Sequence, residues 1–299
     1  MAPRLDCHDA APAGEPAGEP LAGVLYVVAT PIGNREDITL RALRVLREVA
    51  VVAAEDTRHT GALLAHYGIA TPLLSYREQN RAASARAVLR RLAASSVALV
   101  SDAGLPAISD PGAELIAAVI AQGGRVDVVP GANAALTALV ASGLPPAPFT
   151  FVGFLSRQRG DRRRQLEDIA ARPDTLVFYE APHRVVETLR EMEEILGDRP
   201  AATCRELTKL HEETRRDTLS GLRAHFVATA PRGEFTLVVA GAPRDMPIFS
   251  DDEVDARLRA AMGRSDDMRS EVAALAAAAG RPRRDIYARW QALRRTEEA

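Results

Sequence analysis

Val97-Ala98-Leu99-Val100-Ser101-Asp102-Ala103-Gly104-Leu105-Pro106-Ala107-Ile108-Ser109-Asp110-Pro111-Gly112 starts apolar and breaks into Gly, Pro and Asp before a helix-period segment, Ala113–Ala121, begins. The apolar run reads as a buried strand, and the corner after such a strand is where an open α/β sheet presents ligand-binding backbone. Two Asp-bearing corners bracket Leu105–Ser109, so carboxylates and backbone amides lie exposed together. Gly104 leaves room for a flat ring or chain. Asp110-Pro111-Gly112 matches an ordinary helix start, with Asp as N-cap and Pro in the first turn. We therefore assign Asp110 to capping and take Asp102 as the functional carboxylate.

Outward from this stretch, strand-like runs at Val24–Ala29, Val49–Ala53 and Val126–Val129 alternate with helix-period segments at Thr39–Arg47 and Arg77–Leu92. That alternation predicts a mainly parallel sheet covered by helices. Gly143–Pro148 breaks regular structure, and a domain boundary is placed there. Beyond it, strands are expected at Phe149–Phe154, Thr175–Tyr179, Ala201–Arg205, Arg216–Leu219 and Phe235–Ala240, the last three spaced closely enough to favour a mixed sheet. Three helix-period stretches follow, Asp252–Met262, Ser265–Ala279 and Arg284–Arg294, with Gly280-Arg281-Pro282 placed like the turn of a helix-turn-helix. The expected organisation is a flexible leader at 1–22, α/β domains at 23–146 and 147–243, and a helical, RNA-binding-like domain at 250–299.

The 299 residues are 47% hydrophobic, enough to fill two α/β cores. A formal net charge of −2 confines any nucleic-acid surface to a local patch, and 4% aromatic content argues against a broad stacking platform. Cys7 and Cys204 are too few for a disulfide framework or a thiolate metal site, so a cytoplasmic location is expected. No segment reads as a membrane span, and the leader lacks the apolar core of a signal peptide. Lys209 is the single lysine against an otherwise all-Arg basic complement.

The turn Ala29-Thr30-Pro31-Ile32-Gly33-Asn34 lacks the spaced glycines of a dinucleotide loop, and no Gly-Lys-Ser/Thr phosphate loop occurs, which weakens NAD-enzyme and P-loop readings. As a turn it fits a structural corner and a ligand loop equally well. Pro130-Gly131-Ala132-Asn133 is a third corner directly after a strand, followed by small residues that either pack a helix closely or leave space for a ligand.

These three segments occur in one order with Glu55-Asp56-Thr57-Arg58, Phe151-Val152-Gly153-Phe154-Leu155, Tyr179-Glu180-Ala181-Pro182-His183-Arg184 and Arg205-Glu206-Leu207-Thr208-Lys209-Leu210-His211-Glu212-Glu213. The series resembles the ribosomal small-subunit RNA methyltransferase I family, which is similar in fold to the tetrapyrrole methylases, over about Gly23 to Ala240. The resemblance implies a two-domain α/β fold with S-adenosyl-L-methionine in the interdomain cleft, a homodimer, and 2'-O-methylation of a cytidine in the decoding centre of 16S rRNA within the small ribosomal subunit. By motif it places Pro31, Ile32 and Gly33 along the cofactor cleft and Asp102, Ala103, Gly104, Leu105 and Ile108 around the methionine and ribose, with Pro130, Gly131 and Ala132 in support. No metal is implied.

Sulfonium activation belongs to the cofactor, so positioning is the protein's principal task, with a general base adding a smaller factor. Candidates for proton handling or substrate orientation are Glu180, His183, Arg184, Arg205, Glu206, Lys209, Glu212 and Glu213. Glu180 and Arg205 follow strand-like runs, where side chains can face a cleft; taken singly, each residue also fits a structural ion pair. Arg157, Arg159, Arg162, Arg163 and Arg164 form a basic segment read as an RNA-phosphate contact. Ile286, Tyr287, Trp290 and Leu293 form a core stripe on the last helix, whose arginines are a weaker RNA candidate. Two other readings stand beside this one: a tetrapyrrole-ring methyltransferase on the same fold, and a non-catalytic helix-turn-helix nucleic-acid binder.

Overall fold

The computed structural model describes residues 22–243, 249–262, 267–279 and 283–297. The leader and the Gly280-Arg281-Pro282 turn lie outside the described residues. The chain forms two compact units, one through Ala242 and one from Pro243 onward. Both α/β sheets belong to the first.

The first sheet is built by β1 (Val24–Val28), α1 (Leu40–Glu48), β2 (Val51–Ala54), α2 (Thr57–His66), β3 (Leu73–Ser75), α3 (Arg81–Leu92), β4 (Val97–Val100), α4 (Ala113–Ala121) and β5 (Arg125–Val129). Its order is β3-β2-β4-β1-β5, parallel throughout. β2 and β4 are buried at every position, which is why they read as continuous apolar runs rather than alternating ones. In α1, Thr39 accepts a hydrogen bond from the Ala42 amide, and Ala42, Val45 and Leu46 supply the buried face at helical spacing. Arg77 to Asn80 precede α3 rather than belonging to it; the Arg77 amide donates to Asn80 Oδ1, a closed turn that delays the helix to Arg81.

α5 (Ala134–Ser142) leaves the first sheet and packs one face, Ala135, Ala138 and Leu139, against the second. Gly143 ends it with φ +74°, the left-handed position that glycine supplies at helix C-termini. The second sheet follows as β6 (Phe149–Phe154), α6 (Arg159–Ile169), β7 (Thr175–Glu180), α7 (Val185–Leu196), β8 (Pro200–Arg205), β9 (Glu213–Thr218), α8 (Leu219–Ala228) and β10 (Phe235–Val239). Its order is β6-β7-β10-β8-β9, with only the β6–β7 pair parallel. The expected mixed sheet is present. The strand expected at Arg216–Leu219 lies earlier, because Thr218 caps α8 by accepting from the Gly221 amide and so ends the strand.

The second unit holds α9 (Asp251–Met262), α10 (Met268–Ala279) and α11 (Arg283–Glu297), closed around Phe249, Val254, Leu258, Val272, Ala276 and Ile286. Trp290 and Leu293 pack against that cluster as the stripe predicts. Arg289 turns to Asp251 and Asp255.

α6 and α7 cover the outer face of the second sheet through Leu166, Val185, Leu189 and Met192. Between them Arg162 Nε donates to Glu191 Oε2 at 2.5 Å and Arg162 Nη2 to Glu191 Oε1 at 3.0 Å, with Glu191 fully buried. Arg162 is therefore a structural residue, correcting its placement among the RNA contacts: an amphipathic helix turns one member of an arginine cluster inward, and this one met a carboxylate. Removing one partner of a buried pair costs roughly 3–5 kcal/mol. Arg159 and Arg190 also come within 4 Å of Glu191, so Arg162→Ala is expected at about 3 kcal/mol of lost stability, read by urea unfolding. Adding Glu191→Leu should restore much of it; an Arg162→Ala protein as stable as the parent would refute the role.

Candidate active site

The exits of β1 and β4 are pinned to each other by one antiparallel bridge. The Thr30 amide donates to the Gly104 carbonyl at 2.9 Å, the Gly104 amide to the Thr30 carbonyl at 3.1 Å, and Thr30 Oγ1 to the Ser101 carbonyl at 3.2 Å. Gly104 takes φ +79°, and beyond it Ala107 and Ser109 take φ +70° and +68°. Left-handed backbone at residues with a Cβ is strained, and it gathers at sites that the surrounding structure over-determines. A second such pair, Glu206 at +51° and Thr208 at +65°, lies in the turn after β8.

Between these two turns, at the carboxyl ends of β1 and β4 and against the second sheet, lies a cavity of about 300 Å³. Its apolar lining includes Ile32, Ala103, Leu105, Ile108, Ala134, Phe154, Tyr179, Cys204 and Leu207; its polar lining includes Ser109, Asp110, Asn133, Glu180, Glu234 and Thr236. Ile108 and Phe154 stay exposed although large and apolar. The size and the mostly apolar lining with a few polar groups are those of a small-molecule site.

Of the sequence-assigned cofactor residues, Ile32, Ala103, Gly104, Leu105 and Ile108 line this cavity. Pro31, Gly33, Asp102, Pro130, Gly131 and Ala132 are not among the lining residues. A Cβ on Gly33 would come within 2.5 Å of Lys209 Cγ and 2.8 Å of Thr208 Oγ1, so its close approach is to the turn after β8. A Cβ on Gly131 would meet that of Ala29 at 2.8 Å. Asp102 Oδ1 accepts from the Asp56 amide at 3.0 Å and so braces the exit of β2.

Asp110 corrects the sequence reading. α4 begins at Ala113 with Gly112 as its cap at φ +142° and no side-chain cap bond, so Asp110 lies two residues too early to cap. Its carboxyl borders the cavity, where burial, opposed by a Ser101 hydrogen bond and assisted by the charge of Asp102, pushes its pKa up to about 6. The signal available in sequence was the Gly112 that separates the carboxylate from the helix.

Strand register sorts the second-lobe candidates. Tyr179, Thr236, Cys204 and Thr214 share one row, and Glu180, Phe235, Arg205 and Glu213 the next. Alternation turns the first row to the cavity and the second to the opposite face. Arg205 accordingly pairs with Glu213 at 2.8 Å. Glu180, the last residue of β7, and Phe235, the first of β10, still line the cavity where their strands meet it. Glu180 is buried, accepting from Thr188 Oγ1 at 2.6 Å and the Ala181 amide at 2.8 Å, with Arg184 at 3.3 Å. Arg184 also donates to the Leu155 and Ser156 carbonyls, holding the segment after β6.

The turn after β8 is held both within itself and to its neighbours. Lys209 Nζ donates to Glu206 Oε1 at 3.0 Å and Glu234 Oε2 at 2.9 Å; the Thr208 amide donates to Glu212 Oε2, and the Asn34 amide to Thr208 Oγ1. The Glu234 amide and Lys209 hold the Glu206 carboxyl below its ordinary pKa. Glu206, Lys209 and Glu212 therefore shape the turn rather than reach the cavity lining, and His183 is exposed away from it. Arg157 and Arg164 point to solvent, while Arg163 pairs with Glu194 at 3.1 Å. Among the described residues, no group of three or more His, Cys, Asp or Glu side chains is arranged to hold a metal.

The tetrapyrrole (corrin/porphyrin) methylase family profile matches residues 24–223. Ribosomal RNA small subunit methyltransferase I of Bacillus subtilis is 52% identical over 221 residues, 74% of this chain and 76% of that protein. Its Synechocystis counterpart is 45% identical over 268 residues, 89% and 96% of the two chains. Among solved structures, uroporphyrin-III-C-methyltransferase from Thermus thermophilus matches with a TM-score of 0.51 at 26% identity, over 73% of this chain and 94% of that one. A second structure of that enzyme, complexed with S-adenosylhomocysteine, matches at 0.52 and 24% identity, over 72% and 97%. The ordered motifs around the cavity are thus those of a defined lineage, and the chain belongs to the ribosomal RNA small subunit methyltransferase I family of the tetrapyrrole methylase fold.

Proposed function

We propose that this chain methylates the 2'-hydroxyl of a cytidine ribose in the decoding centre of 16S rRNA, acting in the cytoplasm as a homodimer on the small ribosomal subunit. S-adenosylmethionine-dependent methylation of small-subunit ribosomal RNA follows from its family. The tetrapyrrole reading survives only as a kinship of fold. The non-catalytic reading is set aside by the same family membership.

The observation that carries the finer reading is the 300 Å³ cavity with one carboxyl tuned to about 6 on its wall. The residues present fit the cofactor: Ile32, Leu105, Ile108 and Phe154 offer apolar surface to a purine, and Glu234 offers negative charge to its ammonium group. When bound, S-adenosylmethionine supplies an activated methyl group. The protein's share is to hold the acceptor hydroxyl in line and to exclude water, worth roughly 7–11 kcal/mol in favourable cases. Asp110 Oδ accepts the hydroxyl proton, since a base near pKa 6 is ionised at neutral pH yet still basic enough to act. Arg157 and Arg164 supply outward charge for phosphates. Leu136 and Val140, one turn apart on the outer face of α5, are exposed apolar residues that a second copy would cover.

Among the described residues no helix is long and apolar enough to cross a membrane.

Two outcomes test this reading. Ribosomal RNA from cells lacking the protein should lose one 2'-O-methylcytidine in 16S rRNA, restored by the gene; mass-spectrometric mapping that finds every ribose methyl intact would refute it. Asp110→Asn should lower kcat by roughly 10²–10⁴ with S-adenosylhomocysteine affinity unchanged in calorimetry, and the parent's kcat should fall as pH drops through about 6. The folded pKa lies above the unfolded one, so this group's stabilising contribution is complete below about pH 4 and is lost as pH rises through about 6. Asp110→Asn should therefore be more stable than the parent at pH 7, and a less stable variant would contradict the assignment.

A further inference from the structure

A second cavity, of about 480 Å³, lies at the carboxyl ends of β2 and β3 and shares Ser109 and Asp110 with the first. We propose that it receives the base of the acceptor nucleotide and selects cytosine over uracil; this rests on the ribosomal RNA reading above.

Tyr76 is the buried polar residue of this cavity. Only 2% of this residue is exposed, and its ring belongs to the core cluster of Val51, Val88, Leu99 and Leu115. Its hydroxyl has no hydrogen-bond partner among the described residues, yet it is not among the fully occluded unpaired atoms, so it opens into the cavity that the residue lines. Buried phenol hydroxyls ordinarily find a protein partner, so one that faces a cavity without one is placed to meet a ligand atom. The rest of the lining is acidic: Glu55, Glu78, Asp110 and Glu114, with Arg81 bridging Glu78 at 2.8 Å and Glu114 at 3.2 Å. Burial, followed by the charges of Asp110 and Asp102, raises the pKa of Glu55.

Such a floor repels phosphate and accepts hydrogen bonds from a neutral, donor-bearing group. Cytosine offers an exocyclic amine to a carboxylate, whereas uracil would turn a carbonyl oxygen toward it. Cations stand on the adjoining segments: exposed Arg77 is tied to the Glu55 corner by an Nε bond to the Glu55 carbonyl at 3.2 Å, and Arg58, 3.6 Å from Asp56, keeps its side chain 88% exposed. A nucleotide within a polyanion thus finds cations for its phosphates outside and acceptors for its base inside. With the base in this cavity and the methyl donor in the first, the ribose between them falls at Asp110, the wall common to both.

The test uses full-length protein and small subunits lacking the modification, with cytidine or uridine at the acceptor position. The parent should favour cytidine. Tyr76→Phe, which keeps the ring, should raise KM for the subunits, and Glu55→Gln should shrink the cytidine preference, each by roughly 10–100-fold. S-adenosylhomocysteine affinity should stay within about twofold, since neither residue lines the first cavity. Unchanged KM and unchanged preference in both variants would overturn the inference while leaving methylation itself intact. A parent protein that methylates no ribosomal RNA would overturn the functional reading, and this one with it.

Discussion

Two backbone hydrogen bonds between Thr30 and Gly104 hold the site in register. They fasten the exit of β1 to the exit of β4, and Thr30 is buried, so water does not compete for them. Every later feature hangs from this clamp. On one side Pro31-Ile32-Gly33 is aimed at the second lobe, where Gly33 fits under the 207–209 turn only because it has no side chain. On the other side the chain runs through left-handed Ala107 and Ser109 to deliver Asp110 to the wall between two cavities. Strain at those residues persists because both ends of the loop are fixed, by the bridge and by the start of α4.

Charge is arranged locally in a nearly neutral chain. The second cavity gathers carboxylates, among which burial and the charge of Asp110 raise the pKa of Glu55, while exposed arginines stand on the segment after β3 and on α6. An RNA substrate needs both signs at close range, one for its backbone and the other for donor groups on a base or sugar. A net charge of −2 conceals that pattern because the opposing patches cancel in the sum.

Much of the fold was legible because buried parallel strands leave continuous apolar runs: β4 was placed to the residue. β3 was missed because three half-buried residues behind Pro72 carry no periodicity. Within the site, backbone-led features were readable, as with Ile32 and Ala103 to Leu105, since turns announce themselves through Gly and Pro. Side-chain direction was not. Arg205 and Cys204 are neighbours on one strand, and only cross-strand register with Phe235 and Thr236 decides which one faces the cavity. Asp102 and Asp110 occupy similar corners, and their roles separate only once the true start of α4 is known. Arg162 looked like its neighbours until Glu191, 29 residues away, took it inward.

Lys209 shows how a residue with no local signal acquires a task from packing. Its stem passes over Gly33 and its ammonium is shared by Glu206 and Glu234, which lie on the turn after β8 and at the start of β10. Burial opposes its charge, but the hydrogen bonds to Glu234 and Glu206 outweigh that and raise its pKa, so the ammonium persists at any physiological pH. An arginine has the charge but carries a wide planar fork, suited to bidentate pairing with one carboxylate. Here two carboxylates from separate segments converge on one nitrogen beside a glycine, and a compact point charge on a narrow stem satisfies both while letting the lobes touch. In a chain that uses arginine everywhere else, that steric demand gives lysine a physical reason to stand at this position.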